Sequence, residues 1–273
     1  MHLPFTSSLV IATYNWPEAL EACLKSVLQQ QQMPDEIVIA DDGSGNDTRQ
    51  LIAKYKEIFT IPVVHVWHPD EGFKLAAIRN KANAKATGDY IIQIDGDLLL
   101  HKDFVKDHIA AAKQGCFIGG SRVILNQALS AQLLTKESRE ISLFQKGVSN
   151  HLNGIHSSLM GKVLSRLIPS KDASGIRGCN MGYWKKDFIA VNGYNEAQTG
   201  WGLEDTDLVM RFYNCGLKRT YFKLRGIVYH LWHAEKSRDN VTANHLILQK
   251  TIQEKAVRCE NGVQQYLAAN NPN

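Results

Sequence analysis

Short apolar runs separated by amphipathic stretches set the pattern of the first third of the chain. Leu9-Val10-Ile11-Ala12 and Ile37-Val38-Ile39-Ala40 are continuous and rich in β-branched residues, without the polar alternation of a strand that keeps one face in water. Between them Leu20, Leu24, Val27 and Leu28 return at helical spacing, behind Pro17 at a position that suits a first helical turn. The spacing predicts strand, helix, strand over 8–40, then a helix after Asp47, a strand at 61–67, a helix at 75–86 and a strand at 90–94. Buried strands alternating with helices imply an α/β fold with a mostly parallel central sheet flanked by helices. Ligands of such sheets gather at the carboxyl ends of the strands, which brings the loops 13–16, 41–47 and 95–98 to one crevice.

Past Leu125 the pattern weakens. Leu152, Ile155, Leu159, Val163 and Leu167 recur about every four residues, which predicts a helix laying its apolar face on the core. Lys162 and Arg166 lie beside that stripe, so the second reading is a basic amphipathic face on an anionic membrane. The stretch 242–267 is helix-compatible, with Leu248, Ile252, Cys259 and Val263 near one face. No internal repeat or low-complexity linker interrupts the chain.

Composition narrows the classes. At 273 residues, 44% hydrophobic and 21% charged, the chain can bury a core without disulfides or a structural metal, so a metal here is expected to be functional. The five cysteines are scattered, with no C-x-x-C pair, which fits a reducing compartment. A net charge of +4 is too small to suggest nucleic acid as a partner. The amino terminus lacks a signal-peptide pattern and no apolar run approaches the ~18 residues of a membrane span. A cytoplasmic protein is expected, any membrane contact being peripheral and at the inner face.

Asp95-Gly96-Asp97 follows an apolar strand directly. Two carboxylates one residue apart can reach one divalent ion, and the glycine leaves room for a bulky anion; a solvated turn is the plain alternative. Asp41-Asp42-Gly43-Ser44 offers acids that can hydrogen-bond a base or ribose, or simply form a turn. Glu204 and Asp205 fall in the first turn of a predicted helix, as dipole compensation or as a general base beside Trp201. His230 and His233, three apart, can face one ion. No Rossmann glycine fingerprint, P-loop or H-E-x-x-H occurs.

Taken in order, Thr13-Tyr14-Asn15, Asp41-Asp42-Gly43-Ser44, the stretch from Gly72 to Asn80, Asp95-Gly96-Asp97, Gly178-Cys179-Asn180-Met181, Gly200-Trp201-Gly202-Leu203-Glu204-Asp205 and Tyr229-His230 resemble the motifs of family 2 glycosyltransferases of GT-A fold. The carboxyl-terminal half is similar to the galactosyltransferase and chondroitin-polymerase type. The resemblance implies one domain over 1–273, a nucleotide-sugar half to about 125 and an acceptor-side half with a carboxyl-terminal helix beyond it. It implies Thr13, Tyr14 and Asn15 at uracil and ribose, Asp41 on the uracil ring nitrogen, Arg79 on the nucleotide side and Asp95 on ribose, with Asn180 and Trp201 near the donor sugar. Mn2+ or Mg2+ would be held by Asp97, His230 and, with its role open, His233. Asp205 matches the catalytic base and Glu204 would bind sugar hydroxyls. The implied reaction is inverting transfer from a UDP-sugar to a hydroxyl of a glycan or glycolipid acceptor, in surface polysaccharide or lipopolysaccharide synthesis. The alternative is a non-catalytic nucleotide-sugar-binding scaffold.

Overall fold

The computed structural model describes residues 5–135, 141–168, 176–200, 202–234 and 241–267. Its first part alternates strictly: β1 (Ser7–Thr13), α1 (Pro17–Leu28), β2 (Glu36–Asp41), α2 (Asn46–Ile58), β3 (Val63–Trp67), α3 (Leu75–Lys85) and β4 (Tyr90–Asp95). β1 pairs in parallel with both β2 and β4, and β2 with β3. Successive strand residues point to opposite faces, and both faces are covered. Leu9, Ile11, Ile37 and Ile39 meet Leu20, Leu24 and Val27 of α1 on one side. Val10, Ala12, Val38 and Ala40 meet Ala76, Ile78 and Ala82 of α3 on the other. Two apolar cores, one per face, are why these strands read as unbroken hydrophobic runs.

The chain continues through β5 (Leu98–Leu100), α4 (Phe104–Ala111), β6 (Cys116–Gly119), β7 (Val123–Leu125), α5 (Gln127–Thr135), β8 (Val148–Ser149) and α6 (Ser158–Leu167). Then come β9 (Asn180–Trp184), α7 (Lys185–Ala190), α8 (Glu204–Asn214), β10 (Lys218–Thr220), β11 (Val228–His230), α9 (Val241–Gln253) and α10 (Gln264–Leu267). Seven strands form the central sheet in the order β10-β6-β9-β4-β1-β2-β3. β9 lies antiparallel between β4 and β6, so a strand from late in the chain completes the sheet begun by its first residues. A second sheet, β5-β11-β7-β8, escapes sequence reading because its strands have two or three residues, too few to show a period.

Two expectations are corrected. The apolar stripe 152–167 is neither one helix nor packed on the core: Leu152 sits in a short 3-10 turn, His151–Gly154, ahead of α6, and Leu152, Leu159 and Leu167 are 78%, 76% and 70% exposed. The helix meets the body instead through Gly161, where an added Cβ would lie 2.8 Å from the Arg225 Cγ and 2.9 Å from the Lys223 carbonyl. The carboxyl-terminal helix is also not continuous over 242–267. α9 stops at Gln253, and Lys255 takes a left-handed φ of 48°. The Ala256 N–H then donates to Thr251 O and the Lys255 N–H to Ile252 O, a Schellman closure made without glycine. The following turn caps Asn192, whose side-chain amide donates to Cys259 O at 2.9 Å.

Candidate active site

The loop after β1 is tied to the loop after β2. Asn15, at φ 44°, a left-handed conformation that asparagine tolerates, accepts from Gly45 N–H at 2.9 Å and donates its own N–H to Ser44 Oγ at 2.8 Å. Tyr14 reaches across to Asp70, its hydroxyl 2.9 Å from Oδ2. Gly96 N–H donates to Ala12 O at 2.7 Å, which seats the third loop beside the first. The crevice expected at these strand ends is therefore one connected wall.

Asp41 lies deep in it. It is fully buried, accepts from Ser44 N–H at 2.8 Å and sits 2.9 Å from His65 Nε2. Burial opposes the charge, yet His65 and Ser44 hold Asp41 below the usual carboxylate range. Asp42 is matched in the same way by His68, 2.7 Å away. Neither histidine belongs to a sequence motif; the parallel register of β2 with β3, Ile39 opposite His65, places them.

Asp97 sits between β4 and β5, one from each sheet. β11 runs antiparallel to β5 with His230 opposite Leu98, which delivers the histidine to the neighbouring carboxylate. Asp97 Oδ2 lies 3.5 Å from His230 Nε2 and 3.3 Å from His233 Nε2. The ligand-type atoms of the three residues all lie within 4.8 Å of one another. Asp97 Oδ1 is buried with no hydrogen-bond partner, an orphaned acceptor that a cation would satisfy. Burial, then the charges of Arg122 and His233, depress His230 to about 4, leaving the neutral imidazole that metals bind. One carboxylate and two imidazoles suit Mn2+ and related divalent ions.

A second polar group, His101, Asp103 and His156, differs in this respect. His101 Nδ1 accepts from the Asp103 N–H at 3.2 Å, and His156 Nε2 lies 2.9 Å from Asp107. It ties the start of α4 to the approach of α6.

The other half of the site is organised by Arg79. Fully buried, its guanidinium donates to Asp95 Oδ1 at 2.8 Å and to Asp205 Oδ1 at 3.0 Å, with Glu204 Oε1 3.7 Å away. Its ring neighbour is Tyr194, at 5.3 Å. Arg79 is thus the cation around which three carboxylates gather. Asp205 Oδ2 accepts from Gly178 N–H at 2.6 Å, and an added Cβ at Gly178 would stand 2.0 Å from Asp205 Oδ1. Only glycine permits that approach, a role the motif around Gly178 does not announce in the sequence. Burial pushes Asp205 above the usual carboxylate range against the pull of Arg79 and the Gly178 N–H. Glu204 is raised as well, by burial and then by Asp205. Leu203, just before them, adopts φ 76°, a strained conformation for a non-glycine residue of the kind that collects at active sites.

Asn180 leaves the site. Its side chain is fully buried; both amide hydrogens are donated, to Ser121 O and Gly226 O at 3.0 Å, and Oδ1 pairs with His108 Nε2 at 3.0 Å. No polar face remains for a sugar, and its work is to join β9 to α4 and the 226 turn. Thr13 lies buried at the end of β1. Trp201 falls outside the described residues.

Comparison with known proteins agrees with this layout. A family model described as glycosyl transferase family 2 matches residues 8–188. One described as the N-terminal domain of galactosyltransferase matches residues 160–234, the stretch with Glu204, Asp205, His230 and His233. The chain is 25% identical over 230 residues to chondroitin synthase of Escherichia coli, covering 77% of this chain and 32% of that protein; it spans about a third of that relative's length. Among solved structures it is similar to GalNAc-T7 with UDP, GalNAc and Mn2+, at a TM-score of 0.64, 16% identity and 90% and 48% of the two chains. It is also similar to the mannosyltransferase PcManGT of Pyrobaculum calidifontis in complex with GDP-Man and Mn2+, at 0.59, 14%, and 97% and 68%. At that identity the likeness is one of fold. The family match, however, runs from β1 into α7, the stretch that supplies Asp41, Arg79, Asp95 and Asp97, and on that ground the chain belongs to glycosyl transferase family 2, built on a GT-A fold.

Proposed function

We propose that the chain is a metal-dependent, inverting glycosyltransferase that moves a sugar from a UDP-sugar to a hydroxyl of a glycan or glycolipid acceptor, in surface polysaccharide or lipopolysaccharide synthesis. The observation that carries this reading is the pairing of two arrangements anchored two residues apart, at Asp95 and Asp97. Asp97, with its orphaned oxygen, faces His230 and His233, while Asp95 connects through Arg79 to Asp205. A Mn2+ or Mg2+ ion held by Asp97, His230 and His233 would supply Lewis-acid neutralisation of the charge that develops on the departing diphosphate. Tyr14 and Asn15, both exposed, are assigned with the buried Thr13 and Asp41 to uracil and ribose, and Asp95 to the ribose.

Asp205 is the residue assigned to deprotonate the acceptor hydroxyl. A carboxylate raised by burial binds a proton better than a free aspartate, while Arg79 and the Gly178 N–H fix its direction. Attack from the side opposite the leaving UDP gives a single displacement and hence inversion. Glu204, raised in the same way and receiving the Gly202 N–H at 3.1 Å, is assigned to sugar hydroxyls. The five cysteines, all free, support a cytoplasmic setting. The test is calorimetric titration of UDP, with GDP as competitor, in Mn2+ and then in chelator, on the wild type and on Asp97→Ala. UDP binding that needs the metal and is lost in the variant is expected. Absence of UDP binding with Mn2+, or binding untouched by both chelator and substitution, would overturn the reading.

A further inference from the structure

The outward face of α6 has no role in the crevice chemistry, and its make-up is unusual for a protein surface. At ~100° per residue, Leu159, Val163 and Leu167 lie about 160–240° round the helix from Gly161, the one buried position of α6. They therefore point away from the body. Lys162 and Arg166 fall beside that arc, about 100–140° from Gly161. The preceding turn continues the apolar character, with Leu152 exposed and Phe144, 85% exposed, stacked on His151. Across 141–168 the sequence holds Lys146, Lys162 and Arg166 and no aspartate or glutamate. Lys223, whose Nζ donates to Asn153 Oδ1 at 2.7 Å, adds a further cation at the root of the helix.

We infer that this face docks on the surface of an anionic phospholipid bilayer, the apolar arc entering the headgroup boundary and the lysine and arginine pairing with lipid phosphates. Contiguous exposed apolar side chains on a folded protein mark an interaction site. A helix with leucine and valine on one face, basic residues at its flank and no acidic residue of its own has the composition of an interfacial helix. No helix among the described residues is long and apolar enough to cross a membrane, so the contact is one of surface. The start of the helix is tied to the body. Ser157 Oγ caps the helix, Ser158 Oγ donates to Asp107 at 2.7 Å, and Ser157 N–H donates to Leu224 O at 2.9 Å. The same segment supplies β8 to the sheet that carries His230, so docking would fix the orientation of the crevice relative to the bilayer.

The test is co-sedimentation of the full chain with phosphatidylcholine vesicles made with and without phosphatidylglycerol, at low and high salt, with no donor or metal present. The readout is thus independent of the proposed transfer reaction. Binding to the anionic vesicles only, weakened by salt, is expected. It should fall about thirtyfold in the Lys162→Ala/Arg166→Ala double variant and be lost in Leu159→Ser/Leu167→Ser, with unchanged melting temperatures because all four side chains are exposed. Equal binding to neutral and anionic vesicles, no binding to either, or variants that bind like the wild type would overturn the proposal. So would a wild-type dimer that Leu159→Ser/Leu167→Ser converts to monomer, which would assign the face to a second copy of the chain.

Discussion

Asp205 and Asp207 stand two residues apart on α8 and have unrelated tasks, because side chains two apart on a helix point in different directions. Asp205 turns to the crevice, where Arg79 and the Gly178 N–H hold it. Asp207 is fully buried, accepting from Arg211 Nε at 3.0 Å and from Thr251 Oγ1 at 2.6 Å. Asp205→Asn keeps the shape and, through its one carbonyl oxygen, the Gly178 contact, but it gives up the bond from Arg79 and cannot take a proton. Transfer is expected to fall by about 10²–10⁴-fold while UDP affinity stays within a few-fold, read by initial rates beside calorimetry. Near-normal turnover would dismiss Asp205 as the base. Gly178→Ala should lower the rate in the same way, since its Cβ displaces the carboxylate it now cradles.

At the scale of elements, the junctions are polar. Arg211 Nη1 donates to Val191 O at 2.7 Å and Gly193 O at 2.6 Å, so the Asp207–Arg211 pair locks α8 to the 191–193 turn, and through Thr251 to α9. Asp207→Ala strands a buried guanidinium and should cost about 3–5 kcal/mol in urea unfolding. A loss below about 1 kcal/mol would mean that the pair behaves like a surface bridge. His108 on α4 joins β9 through Asn180, between the rings of Phe104 and Phe222, each 4.6 Å away. Its Nδ1 is buried without a partner, so a proton there has no acceptor, and burial depresses the imidazole to about 4. An unfolded histidine titrates near about 6.5, so the unfolded chain takes the extra proton first. The contribution is complete above about pH 6.5 and is lost as pH falls towards 4, up to about 3 kcal/mol. Urea midpoints should drop over that window, and less steeply in His108→Gln.

For the whole molecule, the proposed metal position is the seam between the two sheets: Asp97 ends the link from β4, and His230 ends β11. An ion bound there favours the folded chain over the unfolded one. At a hundredfold excess over Kd it adds about 2.7 kcal/mol, a rise of roughly 5 °C in Tm for a chain of this size. Scanning calorimetry with Mn2+ should show that rise in the wild type and none in Asp97→Ala; a rise that survives the substitution would move the ion elsewhere.

The strands β1 to β4 and the helices between them are legible in the sequence, because apolar period and first-turn proline are local signals. So are the places where carboxylates stand at strand ends. The stripe on α6 is amphipathic as its spacing predicts, yet it is not covered, since a period reports that an apolar face exists and not what lies against it. His65 and His68, the second sheet, and the burial of Asn180 carry no local signal at all. The α/β alternation is written in the sequence alone, and so are the strand ends and the helix start at which Asp41, Asp95, Asp97 and Asp205 stand. Only the tertiary structure decided which of those groups meet. Arg79 reaches Asp205 across 126 residues of chain, and Asp97 finds His230 through an antiparallel pairing of three-residue strands. The physical reason is that a charge buried in a low-dielectric site is tolerable only beside its partner, and for these groups the partner is supplied by packing and not by neighbours in sequence.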